Sequence, residues 1–216
     1  MGIIFDFNGT MIFDGFLHDK AWKSIAMQLK GTTLNDEELQ HHIHGVVNEK
    51  IIQYLIGNVD TKQNKHLSLY KEHLYREMVE IHELSLVNGL PEFLDYLKNK
   101  GIKMTIASAS IKENIDFFYD FFNLSRWFKK EDIIFDDGTH ENKVTMFQKA
   151  ANILDVPIEE CIVFEDSKSG IQFAEDAGVK TIIGVKSDKN DKIALMTIQD
   201  FADPAIYKLI NKGEIL

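Results

Sequence analysis

Three short apolar segments of this 216-residue chain each end on side chains that could take part in chemistry. These side chains are Asp6 after GIIF, Ser108 after KMTIA, and Glu165 and Asp166 after CIVF. Carboxylates act as nucleophiles and bind hard cations such as Mg²⁺. A hydroxyl beside the backbone N–H groups of a helix start binds anions. The three segments therefore carry the groups that a phosphorylated ligand and its cation would need.

Each segment also has a purely structural interpretation. The Asn8-Gly9 pair after Asp6 is typical of a tight turn at a solvated strand end. Ser108 is placed to be the N-cap of a helix, and Asp166 is placed to cap the next one. Taken one at a time, the segments do not decide between structure and function.

The elements around these segments predict an α/β fold. Apolar runs alternate with helical patterns, and the runs are near-continuously apolar, which is typical of parallel strands that are covered on both faces. The predicted strands are 2–7, 102–107, 132–135, 160–164 and 180–185, and the predicted helices are 91–100, 111–122, 142–154 and 168–177. This order predicts a Rossmann-like, doubly wound parallel sheet.

About eighty residues after the first strand lack a convincing strand pattern. The predicted helices there are 18–30, 35–44, 48–57 and 62–84. We therefore predict an α/β core domain from residues 1–14 and 87–216, and an inserted all-helical cap domain from residues 15–86. Ligands bind at the carboxyl ends of the strands in open α/β sheets, so the insertion is placed to be a lid.

The carboxyl ends of parallel strands meet at one edge of a sheet, so Asp6, Ser108 and the two acids after the fourth strand should converge. Lys143, at the start of the predicted helix 142–154, adds a positive charge. Acids, a cation, a hydroxyl and a lysine at one point predict a site for phosphoryl transfer.

Charge and composition limit the partners of the chain. The formal net charge is −10, from 24 basic and 34 acidic residues, and basic residues form no long run, which argues against nucleic acid and anionic membranes as partners. The single cysteine, Cys161, cannot form an internal disulfide, and the first apolar run is too short for a signal peptide. We predict a cytoplasmic monomer or weak dimer that binds a small phosphorylated metabolite.

The motifs resemble those of the haloacid dehalogenase superfamily, and within it the β-phosphoglucomutase-like phosphatases with a helical cap. The resemblance covers essentially the whole chain. The matching segments are DFNGTM at 6–11, IASAS at 106–110, ENK at 141–143 and, most specifically, FEDSKSGIQFAEDAG at 164–178.

The resemblance implies roles for the core residues. Asp6 would attack phosphorus and form an aspartyl-phosphate. Mg²⁺ would be held by Asp6, the backbone carbonyl of Asn8, and Asp166, with Glu165 bound directly or through water. The phosphoryl oxygens would be held by Ser108, the amide of Ala109, and Lys143.

The resemblance also extends into the cap. HDKAW at 18–22 places His18 and Trp22 towards the active site, and Lys71 lies where a cap lysine contacts substrate. The segment HGVVNEK resembles a turn in which an arginine holds the distal phosphate of the substrate, and it includes Gly45. Asn48 occupies the position of that arginine, which makes a phosphatase a better prediction than a mutase.

Asn8 is the second departure, because phosphatases of this family carry there an Asp that protonates the leaving group and activates water. General acid–base catalysis contributes about 10²–10⁴-fold to a rate. Several explanations remain open: His18 substitutes as acid and base, the substrates have good leaving groups, the chain is a catalytically impaired binder, or an Asp-to-Asn substitution was engineered. Deamidation of the Asn8-Gly9 pair would also regenerate an Asp.

The predicted function is Mg²⁺-dependent hydrolysis of a small phosphorylated metabolite such as a sugar phosphate. A β-phosphoglucomutase-type phosphotransferase and an impaired phosphometabolite-binding relative are the alternatives. A dehalogenase is less favoured, because family dehalogenases use the same nucleophile without the acidic pair that would bind a metal.

Overall fold

The computed structural model describes residues 1–44, 46–140, 142–188 and 191–212. The chain forms two compact units, which we call the core unit (Met1–Phe13 with Ser85–Leu216) and the helical unit (Asp14–Leu84). The sequence predicts the corresponding boundaries at 14/15 and 86/87. Within the described ranges, no helix has both the length and the apolar character needed to cross a membrane.

The core unit contains a six-stranded sheet in which every described pairing is parallel. Its strands are β1 (Gly2–Phe5), β2 (Lys103–Ile111), β3 (Ile134–Asp136), β4 (Cys161–Glu165), β5 (Thr181–Val185) and β6 (Met196–Ile198). The order β3-β2-β1-β4-β5-β6 confirms the predicted doubly wound sheet. From β1 the chain adds β2 and β3 on one side and then returns to add β4, β5 and β6 on the other, and such a switch point is where α/β folds bind ligands.

The pairing register brings the carboxyl ends of three strands together. Phe5 at the end of β1 lies opposite Ile106 of β2 and Phe164 of β4. The residues that follow these positions therefore lie at the same level along the strands, which explains how side chains far apart in sequence become neighbours.

Nine α-helices occur in the described residues. They are α1 (Gly15–Lys30), α2 (Asp36–Glu38), α3 (Asn48–Ile56), α4 (Thr61–Ile81), α5 (Leu90–Asn99), α6 (Lys112–Phe121), α7 (Lys143–Leu154), α8 (Lys168–Asp176) and α9 (Pro204–Lys212). The first four belong to the helical unit and the rest to the core unit.

Apolar side chains fix β1 and β4 from both faces of the sheet. On one face, Ile4 and Val163 pack in a cluster with residues of α7 and α8 such as Phe147 and Ile171. On the other, the ring of Phe5 stacks on that of Phe164 with centroids 5.1 Å apart, within an aromatic group that includes Phe93 and Phe201. The two strands that carry the acids are therefore held by apolar packing on both faces of the sheet.

The helical unit has its own hydrophobic core, in which Trp22 and Ile25 of α1 pack with Ile51 and Ile52 of α3. Its predicted helix 35–44 is instead the short α2 followed by a π-helical segment, Leu39–Ile43. A capping box between Asn35 and Glu38 fixes the start of this region.

Three elements of the core unit, β2, β6 and α9, differ most from the predicted elements. Strand β2 runs to Ile111, four residues past its predicted end, and its pairing with β3 is irregular between Ala107 and Ile111. Strand β6 and helix α9 have no predicted counterpart. β6 has only three residues, which is too short to show a hydrophobic period. The predicted elements end before α9, which begins at Pro204.

Candidate active site

Three carboxylates from two neighbouring strands form an acidic cluster in the core unit. One oxygen each of Asp6, Glu165 and Asp166 lies within 4.8 Å of the others. The backbone N–H of Asp6 donates to the carbonyl oxygen of Phe164 at 3.0 Å, so the sheet pairing itself continues to the acid. Asp6 is only 4% exposed, and the interpretation of Asp6 as a solvated strand end is therefore wrong.

Lys143 joins two of these acids. Its Nζ lies 2.6 Å from Asp6 Oδ1 and 2.6 Å from Glu165 Oε2. Burial lowers the pKa of Lys143, but the Asp6 and Glu165 carboxylates outweigh burial and raise it, so the side chain stays an ammonium. Lys143 is the first residue of α7, and the side chain of the N-cap residue Asn142 accepts a hydrogen bond from Val144 N at 2.9 Å.

The single ammonium of Lys143 does not balance the negative charge of the three carboxylates. Burial, then the charge of Glu165, raises the pKa of Asp6 to about 7 in spite of Lys143. Burial, then the charges of Asp6 and Glu165, raises the pKa of Asp166 to about 8. A buried group of oxygen ligands with excess negative charge is the kind of site that a hard divalent cation binds, so the residues present fit Mg²⁺.

Glu165 is held at both carboxylate oxygens. Oε2 accepts from Lys143, and Oε1 accepts from the backbone N–H and the hydroxyl of Ser167 at 3.2 and 2.9 Å. Ser167 also caps α8, because its side chain accepts from Gly170 N at 3.0 Å. The interpretation of Asp166 as the cap of this helix is therefore wrong. A Cβ at Gly170 would overlap the Glu165 carboxylate, which explains the glycine at that position.

The Asn8-Gly9 pair forms a turn, and the turn also makes room for an acid. Gly9 has φ +79°, which favours glycine, and a Cβ there would overlap the Asp166 carboxylate. The pair is therefore a turn, as the structural interpretation predicts, and the turn also leaves room for the Asp166 carboxylate.

Ser108 lies inside β2 and is only 2% exposed. Its hydroxyl oxygen accepts a hydrogen bond from Ser110 N at 3.2 Å, while the N-cap of α6 is Ile111. The interpretation of Ser108 as a helix N-cap is therefore wrong. Ala109, the next residue, is exposed, and irregular strand pairing of the kind seen here often re-aims side chains at functional sites.

Ser110 is a residue that the sequence analysis did not include in the site. Its hydroxyl donates to Asn8 Oδ1 at 2.6 Å, which fixes the orientation of the Asn8 amide. The sequence does contain a signal for Ser110, because the second Ser of IASAS places another hydroxyl two residues after Ser108. The backbone N–H of Gly9 donates to Ile12 O at 2.9 Å, so the nitrogen that would attack Asn8 during deamidation is already bound.

The cap residues predicted from the resemblance lie in the helical unit. Lys71 Nζ lies 2.7 Å from His18 Nδ1, and 5.5 Å from the ring centroid of Trp22. Trp22 itself belongs to the hydrophobic core of this unit. Gly45 lies outside the described residues.

Glu72 also belongs to this group, although the sequence analysis did not include it. Its Oε1 accepts from Lys71 Nζ at 2.9 Å and from Asn48 Nδ2 at 2.8 Å. Burial lowers the pKa of Lys71, while Glu72 and Asp14 oppose this effect. In the sequence, Lys71 and Glu72 are neighbours in a polar helical segment. That pattern is also typical of a solvent-exposed helix face, so it does not predict that the two side chains are buried.

A Rossmann-like α/β unit with an acidic cluster and a lysine at its switch point defines the class of protein. A model of the haloacid dehalogenase-like hydrolases matches residues 1–178, and the chain belongs to this family. The family resemblance stated from the motifs is thereby confirmed.

Individual relatives agree with this assignment. A phosphorylated carbohydrates phosphatase of Thermotoga maritima is 28% identical over an alignment of 218 positions, which covers 99% of this chain and 95% of that protein. A β-phosphoglucomutase of Bacillus subtilis is 25% identical over 193 residues, 82% of this chain and 80% of that protein. The crystal structure of a family IA, variant 3 hydrolase from Entamoeba histolytica has a TM-score of 0.91, with 32% identity and 99% of each chain covered.

We predict that Mg²⁺ stabilises the protein more at about pH 8.5 than at about pH 6, because the cation must displace protons from acids with raised pKa values. For groups whose pKa is raised in the folded state, the contribution to stability is lost as pH rises, so the cation-free protein loses stability over this interval. Thermal unfolding with and without Mg²⁺ at both pH values measures the effect.

The matched variant for this experiment is Asp166→Asn, which removes one titrating acid. It should bind Mg²⁺ more weakly and show a smaller pH dependence of the Mg²⁺-induced shift. An equal Mg²⁺-induced shift at both pH values in the unmodified chain would contradict the assignment of the acids as cation ligands.

Proposed function

We propose that the protein is a Mg²⁺-dependent phosphatase of a small phosphorylated carbohydrate, acting through an aspartyl-phosphate on Asp6. The observation that carries this proposal is the acidic cluster bridged by Lys143 at the switch point of the sheet. The relative named as a phosphorylated carbohydrates phosphatase, which is matched over 99% of this chain, supports the substrate class.

In the first step, a carboxylate oxygen of Asp6 forms a bond to phosphorus while the bond from phosphorus to the sugar oxygen breaks, and the sugar oxygen takes a proton from water. Lys143 holds Asp6 Oδ1, which fixes the rotation of the carboxylate and keeps its charge balanced. In the second step, a water oxygen forms a bond to phosphorus while the bond from the Asp6 oxygen to phosphorus breaks. Phosphate leaves, the proton lost by water returns to solvent, and the Asp6 carboxylate is restored.

Residues at the strand ends would hold the cation and the phosphoryl group. Asp6, Asp166 and the backbone carbonyl of Asn8 would bind Mg²⁺, which when bound supplies positive charge against the phosphoryl oxygens. Glu165 would bind Mg²⁺ directly or through water, and its contacts with Lys143 and Ser167 would orient Lys143.

Ser108, the backbone amide of Ala109 and Lys143 would hold the phosphoryl oxygens. The irregular end of β2 supports this role, because it interrupts the pairing with β3 between Ala107 and Ile111. A hydroxyl and an ammonium are donors that charge-assisted hydrogen bonds to phosphate require.

The Asn8 amide cannot exchange a proton, but it can donate a hydrogen bond to the oxygen of the leaving group. Because Ser110 occupies Asn8 Oδ1, the acceptor side of the amide is already used. We propose that the chain hydrolyses best those phosphates whose leaving groups need little protonation. A catalytically impaired binder remains the second candidate, because the same amide removes the acid–base group.

The helical unit would act as a cap that covers the substrate and excludes water from the aspartyl-phosphate. His18, Lys71 and Asn48 would contact the part of the substrate away from the reacting phosphate. We further propose that the protein binds a small metabolite, is located in the cytoplasm, and is a monomer or a weak dimer.

We predict that Asp6→Asn lowers Mg²⁺-dependent hydrolysis of p-nitrophenyl phosphate by at least about a thousandfold, because an amide is not a nucleophile at phosphorus. Release of p-nitrophenol measures the rate. Asp136→Asn is the control, because Asp136 also ends a parallel strand of this sheet but is exposed, and this variant should keep the rate. Equal rates in Asp6→Asn and the unmodified chain would rule out the assigned nucleophile.

We predict that Asn8→Asp raises kcat/KM for a sugar phosphate such as glucose 6-phosphate by about 10²–10⁴-fold, since it restores a general acid. The increase for p-nitrophenyl phosphate should be far smaller, because p-nitrophenolate leaves without protonation. Phosphate release measures the first rate. Similar increases for both substrates would show that Asn8 does not limit leaving-group departure, and a chain inactive on both substrates even as Asn8→Asp would support a binding protein.

A further inference from the structure

Ser110 joins two side chains of the core unit to which the proposed function gives different tasks. Its hydroxyl donates to Asn8 Oδ1 at 2.6 Å, and its backbone N–H donates to Ser108 Oγ at 3.2 Å. Ser110 lies in β2 and is half-buried, and Ser108 is buried. One residue therefore contacts both the amide proposed to donate to the leaving group and the hydroxyl proposed to hold the phosphoryl group.

The contact with Ser110 determines which end of the Asn8 amide is the oxygen. A separation of 2.6 Å is typical of a hydroxyl that donates to an oxygen, and it is shorter than usual for an amide N–H that donates to one. The hydroxyl of Ser110 has a single hydrogen to donate, and that hydrogen lies on this contact. Asn8 Oδ1 therefore faces Ser110, and Asn8 Nδ2, which only donates, lies on the other branch of the amide.

The backbone of Asn8 is fixed independently of Ser110. Asn8 forms a β-bridge with Ile12, and the backbone N–H of Gly9 donates to Ile12 O at 2.9 Å. The main remaining freedom of Asn8 is rotation of its side chain, which can exchange the positions of Oδ1 and Nδ2. In the exchanged orientation the Ser110 hydroxyl hydrogen would lose its acceptor, so Ser110 stabilises the orientation that the structure shows.

Ser110 also orients the hydroxyl of Ser108. Because the Ser108 oxygen accepts from Ser110 N, the hydrogen of the Ser108 hydroxyl points away from this contact and can be donated in another direction. Hydrogen bonds in a chain polarise one another, which makes this hydroxyl a stronger donor.

We propose that Ser110 is a positioning residue for phosphoryl transfer, which orients Asn8 Nδ2 to donate to the leaving-group oxygen and the Ser108 hydroxyl to donate to a phosphoryl oxygen. This inference rests on the proposed phosphatase function, and it adds the residue that makes an amide at position 8 useful in the first step. Ser110 acts through Asn8 and Ser108, so it is not a catalytic residue. Hydrogen bonds to charged oxygens are the stronger ones, so the amide should help most where negative charge stays on the leaving oxygen.

The variant Ser110→Ala isolates the contact with Asn8, because alanine removes the hydroxyl and keeps the backbone N–H that donates to Ser108. The control is Ser125→Ala, since the Ser125 hydroxyl makes the same kind of contact, to Asn123 Oδ1 at 3.0 Å, at an exposed position of the core unit. Ser110→Thr restores a hydroxyl on a side chain that suits a strand.

The test compares kcat/KM for phenyl phosphate and p-nitrophenyl phosphate in the presence of Mg²⁺, measured by phosphate release. Negative charge stays on the oxygen of phenolate more than on that of p-nitrophenolate, which shares it with the nitro group. Ser110→Ala should therefore lower kcat/KM for phenyl phosphate by about tenfold and that for p-nitrophenyl phosphate by less. Ser125→Ala should leave both values unchanged, and Ser110→Thr should show the same ratio of the two values as the unmodified chain.

A second comparison introduces Ser110→Ala into a chain that already carries Asn8→Ala. There the ratio of the two kcat/KM values should stay constant, because the amide on which Ser110 acts is absent. An equal loss for both substrates in Ser110→Ala, or the same change of the ratio with and without Asn8, would overturn the proposal. Absence of Asp6-dependent hydrolysis of either substrate has a different meaning, since it would overturn the phosphatase function and this role of Ser110 with it.

Discussion

The candidate active site depends on Lys143, whose ammonium forms ion pairs with both Asp6 and Glu165. Its ammonium lies 2.6 Å from one oxygen of Asp6 and 2.6 Å from one of Glu165. Without it, the three acids would be buried beside one another with no compensating charge, a state that costs several kcal/mol. With it, Asp6 is fixed and the remaining negative charge is available to a cation.

The sheet makes this pairing possible. β1 lies between β2 and β4, so the carboxyl ends of these strands meet at the switch point, and the aromatic stack of Phe5 on Phe164 holds β1 against β4. Glycines permit the last close approaches, since Gly9 makes room for Asp166 and Gly170 makes room for Glu165. Strand order, aromatic packing and the two glycines therefore together produce a buried site with fixed carboxylates.

The sequence predicts five of the six strands of the sheet and the three strand ends that carry the site residues. Continuous apolar strands predict parallel pairing, and parallel pairing predicts that Asp6, Ser108 and Asp166 leave the sheet at one edge. The capping interpretations of Ser108 and Asp166 were wrong because the helices that follow begin at other residues, with Ile111 and Ser167 as their N-caps.

Contacts between side chains far apart in sequence could not be predicted in this way. The hydrogen bond of Ser110 to Asn8 spans 102 residues and depends on the irregular end of β2, which the periodicity of the sequence does not show. Glu72 and Asn48 meet across two helices of the helical unit, and which faces of those helices pack together is a property of tertiary structure. Asn8 could be identified from its neighbours, whereas the orientation of its amide could not.

The most direct test of the account is the covalent state of Asp6 during turnover. The protein would be mixed with Mg²⁺ and a sugar phosphate, quenched in acid, and digested for mass spectrometry of the peptide that contains Asp6. We expect that peptide to gain the mass of one phosphoryl group, and the gain to be absent in Asp6→Asn. Phosphate release with no phosphorylated peptide, or a phosphorylated peptide in Asp6→Asn, would contradict the proposed mechanism.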